Sequence, residues 1–463
     1  MSALISSELL SPVSSLTRAQ LAGLKLSIVL LLIGSPLGID VLSTMKFSVA
    51  NCFQIVAAAI LLICFFKYIR RGSIFLLLSY GVGLIILGLL LVKDFNLNLL
   101  LSQDLYFAVC IVCLLLAWEV PKSSEIYQAV RSALRIGVPS ALLIMYGFTI
   151  RDMLIDHLAY TAMGFDDKSH AAVYIAALAF LVLEMSSSVL KIPIALFVFA
   201  SSFLTVSRLS AIMIPFFLMA LVSSFSRVRL KFSNKSVRAL YDLIMGVMVI
   251  FLFVIAISAI KGLPVFSRLI GSGDGAASGS TQSHFILIQL AIEMKFLKPW
   301  IIILGTTPGL FSYLLPVSGI DYSELAFLDP GSQRTMARGA LPVHSVPASI
   351  FLEFPIWMFV IYVIALFLIT KNLIRAHRTN VWTMFIATMA ATMFYSGHNE
   401  PYFLTLFLIS ILLMVQPTDK KVNERASSGA SQGTMLSLKD YRKSLDMFQA
   451  RANDFSLLDL KLI

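Results

Sequence analysis

Charge is scarce in this chain. Asp, Glu, Lys and Arg make up only 13% of its 463 residues, against roughly a quarter in soluble domains. Apolar residues reach 58%, and the mean hydropathy is +0.88. That balance excludes a water-soluble globular fold, since folding alone cannot hide so much apolar surface. Cysteine is scarcer still. Cys52, Cys64, Cys110 and Cys113 all lie within apolar runs, where they behave as small hydrophobes, and no disulfide framework is expected. Cys110 and Cys113 have redox or metal spacing, but no histidine lies near them in sequence. There is no P-loop, no Gly-rich nucleotide fingerprint and no Asp-x-Asp metal pair in the polar segments, which leaves nucleotide-sugar chemistry inside the cell unsupported.

What is present is apolar sequence in long runs. In lipid the backbone must satisfy its own hydrogen bonds, so only helices or a closed barrel can span. The runs are about 15–23 residues long without alternation, which is helix length and not barrel-strand length. The expected fold class is an all-α integral membrane protein of about twelve transmembrane helices. The expected spans are 21–42, 47–66, 73–92, 103–120, 134–150, 171–190, 192–207, 209–226, 240–260, 347–370, 380–395 and 402–416. The organisation follows: N-terminal spans over 1–261, a large polar insert over 262–346, C-terminal spans over 347–416, and a tail over 417–463. Residues 1–20 are polar and the first apolar run has spanning length, so no cleavable signal is expected. The tail reads as disordered or as membrane-surface sequence.

The net charge of +11 does not point to nucleic acid. Basic residues cluster at span ends, after the second, fourth, eighth, tenth and twelfth runs. If the spans alternate, all these clusters share one face, and that face is cytoplasmic. Both termini are then cytoplasmic. The opposite face holds the 151–170 loop, the 262–346 insert between spans nine and ten, and the short turn 395–401. Within the insert, Gly271–Gly279 reads as a flexible Gly/Ser loop. Residues 284–298 show helical spacing, and Trp300–Leu304 suits a short helix lying at the interface.

Several residues on the charge-poor face are candidates for chemistry. His344 stands just before Pro347, where a helix can start; it is either a proton acceptor near neutral pH or an ordinary interfacial histidine. Arg208 breaks the positive-inside trend at the turn between two short spans; it either binds phosphate or snorkels. Arg334 and Arg338 precede His344 and either face the same anion or are solvated loop charges. His398 and Glu400 either line a cavity or cap the last span. Glu353 lies inside an apolar run, where a carboxylate usually faces a cavity or a partner. Nine residues of continuous helix would put it on the face opposite His344. Glu184, in the sixth run, has Lys191 nearby and reads as a structural pair.

Four features resemble the O-antigen ligase and Wzy-type polysaccharide polymerase superfamily. Thr205-Val-Ser-Arg208-Leu-Ser is similar to the family's Ser-Arg at a span start. The insert helix leading to Gly305 resembles the family's loop helix and Gly-containing turn. His344-Ser345, followed by Phe351-Leu-Glu353-Phe-Pro355, resembles its His-Asn run into a Glu-x-Gly span. Ser396-Gly-His398-Asn-Glu400-Pro resembles its late outward turn. The likeness covers roughly 190–416. Ser345 replaces the usual Asn, Pro355 stands where Gly is common, and the insert helix offers His284 where the family has an arginine.

The resemblance implies glycosyl transfer on the periplasmic face of the bacterial inner membrane. The donor would be a glycan on undecaprenyl pyrophosphate, with membrane lipid around it. His344 would serve as base and Arg208 would face the pyrophosphate, while Arg334 and Arg338 remain candidates without a motif match. Neither metal nor cofactor would be needed, because the carrier already stores the bond energy. Polymerisation of repeat units is the expected activity, with a flippase and a chain-length regulator as partners. Ligation to lipid A core is the close rival. A carrier of lipid-linked or anionic solutes is the non-enzymatic alternative, although no internal repeat of the transporter kind is evident.

Overall fold

A computed structural model of the protein describes residues 16–42, 47–69, 109–158, 160–185, 188, 190–205, 207–229, 275–337, 341–395 and 401–414. Their regular secondary structure is helical apart from one short antiparallel strand pair, β1 (Asp40–Leu42) and β2 (Phe47–Ser48). In chain order the helices are α1 (Arg18–Gly34), α2 (Val49–Phe65), α3 (Val109–Glu119), α4 (Ser124–Ile150), α5 (Lys168–Met185), α6 (Lys191–Ser201), α7 (Arg208–Arg229), α8 (Gly275–Leu297), α9 (Pro299–Leu304), α10 (Phe311–Val317), α11 (Ser323–Leu328), α12 (Pro330–Ala337), α13 (Val346–Glu353), α14 (Ile356–Arg375), α15 (Thr379–Thr392) and α16 (Pro401–Leu412). Five helical stretches among the described residues are long and apolar enough to cross a membrane: Val49–Tyr68, Ser124–Ile155, Lys168–Met185, Leu209–Val228 and Ile356–Arg375. Three apolar helices, Val109–Glu119, Lys191–Thr205 and Tyr402–Leu412, are shorter. The expected spans 73–92 and 240–260 and the tail 417–463 lie outside the described residues.

Two expected spans are corrected. The first, 21–42, ends at Gly34, because Ser35-Pro36 stops the helix and the chain turns into β1. The expected span 347–370 is divided. Pro355 disfavours helical backbone at Phe354; Phe354 is extended (φ −111°, ψ 161°), so α13 closes at Glu353 and α14 starts at Ile356. Glu353 therefore sits at the end of a short helix and not inside a span.

The main core is built around α5. From His170 to Glu184 every residue of α5 is buried, which is the pattern of a helix apolar on all sides. Its alanines admit close helix neighbours. α6, α7 and α15 pack on it, and α1 packs on α2 and α4. Tyr174 Oη donates to the Leu32 carbonyl at 2.7 Å and ties α5 to α1.

One end of this bundle holds a buried ion pair. Arg378 Nη1 donates to Glu184 Oε1 at 3.0 Å and to Tyr127 Oη at 2.8 Å. Arg227 reaches Asn380 at 3.3 Å, and Arg131 reaches the Met185 carbonyl at 3.2 Å. These bonds place the starts of α4 and α15 beside the ends of α5 and α7. The expected Glu184–Lys191 helix pair is corrected: α5 stops at Met185, so the two share no helix face, and Glu184 is met by Arg378 while Lys191 donates to the Leu183 carbonyl at 3.2 Å. The ends of α4 and α15 and the starts of α5 and α7 gather at the opposite end.

The insert folds around its own core. Leu287, Leu290, Ala291 and Met294 of α8 pack with Ile301, Phe311, Leu315 and Leu325, and with Leu341, Val343, Ala348 and Leu352. The expected helix over 284–298 is present, but it starts at Gly275, so half of the Gly/Ser run is helical and not flexible loop. Helix α9 matches the expected short apolar helix.

Candidate functional site

The segment entering α13 carries the site. Ser312 Oγ donates to the Leu341 carbonyl at 2.9 Å and accepts from its N–H at 2.7 Å, which pins the chain against α10. Ser345 is extended and caps α13, accepting from Ala348 N at 3.4 Å. Between these anchors the chain must turn sharply, and it does so at His344, which adopts φ 56°. Left-handed backbone is uncommon for non-glycine residues, and His is among those that tolerate it. The turn aims the imidazole at the bundle.

There His344 stacks on His284 of α8, ring centroids 4.3 Å apart and planes within 9°. Tyr395, just beyond α15, lies 5.6 Å from His344 and 4.9 Å from His170 in the first turn of α5. Tyr402 of α16 lies 5.4 Å from His170. The three segments that sequence placed on the charge-poor face thus meet around one ring cluster, at the bundle end opposite Arg378. Nδ1 of His344 is enclosed with no hydrogen-bond partner among the described residues. The side chain as a whole is half-buried.

Burial pushes the His344 pKa down to about 4, with the neighbouring His284 adding to the effect; Asp167 and Asp329 oppose it, and His170 lowers it further. The imidazole is neutral at pH 7. Asp167 is held below the ordinary carboxylate range. Its burial works against this, but the Ser169 N–H, the Tyr395 hydroxyl and His170 outweigh it.

The far end of α13 is locked separately. Leu352 and Glu353 carbonyls accept from Thr306 N at 3.2 Å and Thr307 N at 3.1 Å, and Glu353 Oε1 accepts from Gly309 N at 3.1 Å. Lys295 of α8, fully buried, donates to the Phe354 carbonyl at 2.6 Å. A cation at a helix C-terminus is favourable, and burial pushes the Lys295 pKa down to about 8. Thr307 has φ 72°, a strained value for a β-branched residue, and its buried Oγ1 lacks a partner among the described residues.

Of the sequence candidates, His344 and Glu353 are placed at the two ends of α13. Arg208 opens α7, at the same bundle end as His344; Leu204 just before it accepts from Thr161 N at 3.3 Å. The Arg208 side chain, Arg338, His398 and Glu400 lie outside the described residues. Arg334 is exposed on α12. Asp167, His170, His284 and Tyr395 are not among the residues that the sequence marks for chemistry. Their sequence signal was only membership of charge-poor-face segments, and their convergence is tertiary. Among the described residues no group of three or more His, Cys, Asp and Glu is placed to hold a metal ion. No family model matches this chain, and no curated protein matches it.

Proposed function

We propose that the protein polymerises oligosaccharide repeat units carried on undecaprenyl pyrophosphate, at the periplasmic face of the bacterial inner membrane. The observation that supports this reading best is His344, held in a left-handed turn where the insert, the loop before α5 and the end of α15 meet. A base for an acceptor hydroxyl must be neutral before it acts, and His344 is neutral at pH 7. Alone it is a weak base. A bound pyrophosphate would place negative charge beside it and raise its proton affinity. Arg208, at the same end, would stabilise the charge developing on the leaving pyrophosphate.

The test is the polysaccharide profile of a strain lacking the protein, complemented with His344→Ala or Arg208→Ala. Both variants are expected to insert at normal abundance and to yield single repeats without long chains. Normal-length polymer from both variants overturns the proposal. Full-length polymer stranded on the lipid carrier in the deletion strain identifies a ligase instead, and unchanged polymer in every pool favours a carrier without chemistry.

A further inference from the structure

The charged and titratable groups that face His344 come from five places. His284 comes from α8, His170 from α5, Asp167 from the loop before α5, Asp329 from the residue before α12, and Tyr395 from the end of α15. Two of the five are carboxylates. Asp329 is engaged in capping α12, accepting from Gly331 N at 3.0 Å and Ser332 Oγ at 2.6 Å. Asp167 accepts from Ser169 N at 2.6 Å and from the Tyr395 hydroxyl, whose ring lies against both His344 and His170. Asp167 and His344 are therefore joined through one tyrosine.

We propose that Asp167 is a positioning residue for His344, acting through Tyr395 and supplying the negative charge that offsets an imidazolium. This rests on the reading of His344 as a base. In that step the acceptor oxygen bonds to the anomeric carbon while its proton passes to His344. The bond from the anomeric carbon to the pyrophosphate oxygen breaks, and the lipid pyrophosphate leaves with the electron pair. The proton stays on His344 until it is released to water. During the step a positive charge appears beside two other histidines, in a partly desolvated site where such repulsion is strong. A fixed carboxylate in the same cluster counters it without any rearrangement at the moment of reaction.

The experiment uses the full-length protein purified in detergent. Diethyl pyrocarbonate reacts with neutral imidazole, so peptide mass spectrometry of His344 labelling from about pH 3 to about pH 8 follows its titration. Asp167→Asn is expected to lower the His344 midpoint by about half a pH unit or more. Asp167→Glu should restore it, and Tyr395→Phe, which keeps the ring, should lower it part of the way. His377, beyond the far end of α14, is the internal control and should not move. An unchanged His344 midpoint in Asp167→Asn, with His377 unchanged, overturns the proposal. Should Asp167→Asn fail to fold, an unchanged midpoint in Tyr395→Phe overturns it equally. A shifted midpoint in a protein shown to make no polymer would keep the positioning role and remove the glycosyl-transfer reading.

Discussion

His344 and Glu353 bound the same short helix, and each responds to solution conditions or substitution in its own way. An unfolded His344 titrates near 6.5 and the folded one near 4. Between those values the unfolded chain binds more protons, so stability falls as the pH drops from 6.5 toward 4. Thermal unfolding at about pH 7 and about pH 5 should show this loss, and His344→Gln should flatten it. Glu353 acts through an acceptor: its Oε1 holds Gly309 N at 3.1 Å. Glu353→Ala leaves a partly buried amide short of that partner and should lower stability by roughly 1 kcal/mol, whereas Glu353→Gln retains an oxygen there and should lose less. A thermal-shift series on the purified variants reads both.

At the scale of elements, the contact between the 305–309 turn and the end of α13 decides how the insert is held. Gly305 has φ +81°, and a Cβ there would stand 2.2 Å from the Glu353 carbonyl oxygen. No L-residue fits without moving backbone. Gly319 has the same φ, but open space surrounds it. Gly305→Ala should expose the α9–α10 connection to limited proteolysis, while Gly319→Ala, which adds only backbone strain, should leave the digestion pattern close to wild type. Equal protease resistance of the two variants would show that the 305–309 turn does not anchor the insert. The division between α13 and α14 was legible in part, because Pro355 is visible in the sequence. The run around it is apolar throughout, so hydropathy joined the two helices, whereas the backbone preference before proline separates them.

At the scale of the molecule, the two ends of the bundle differ in kind. The Glu184–Arg378 pair at 3.0 Å, with Tyr127 and Asn380, closes one end; the histidine and tyrosine cluster occupies the other. The ion pair is largely buried, with 11% and 6% of the two side chains exposed. Arg378→Ala strands the Glu184 carboxylate and should cost roughly 3–5 kcal/mol of stability, with partial recovery in the Arg378→Ala/Glu184→Gln double variant. Calorimetry of the purified variants measures this. The His344 labelling midpoint should stay unchanged in the double variant, because the pair is at the opposite end of the bundle.

Composition and run length determined that the chain is helical and rich in helices suited to a bilayer, because apolar side chains in such runs leave the backbone no other way to satisfy its polar groups. The sequence also marked which connectors are polar and which carry histidine. Where those connectors meet was decided only by the tertiary structure. Asp167, His284, His344 and Tyr395 are far apart in the chain, and no periodicity links them. The close packing of α5, α7 and α15, together with the separate core of the insert, brings them to one end. Partner choice among buried charges is likewise a matter of packing: Glu184 has a lysine nearby in sequence, yet it meets Arg378 because α5 stops first and α15 begins beside its end.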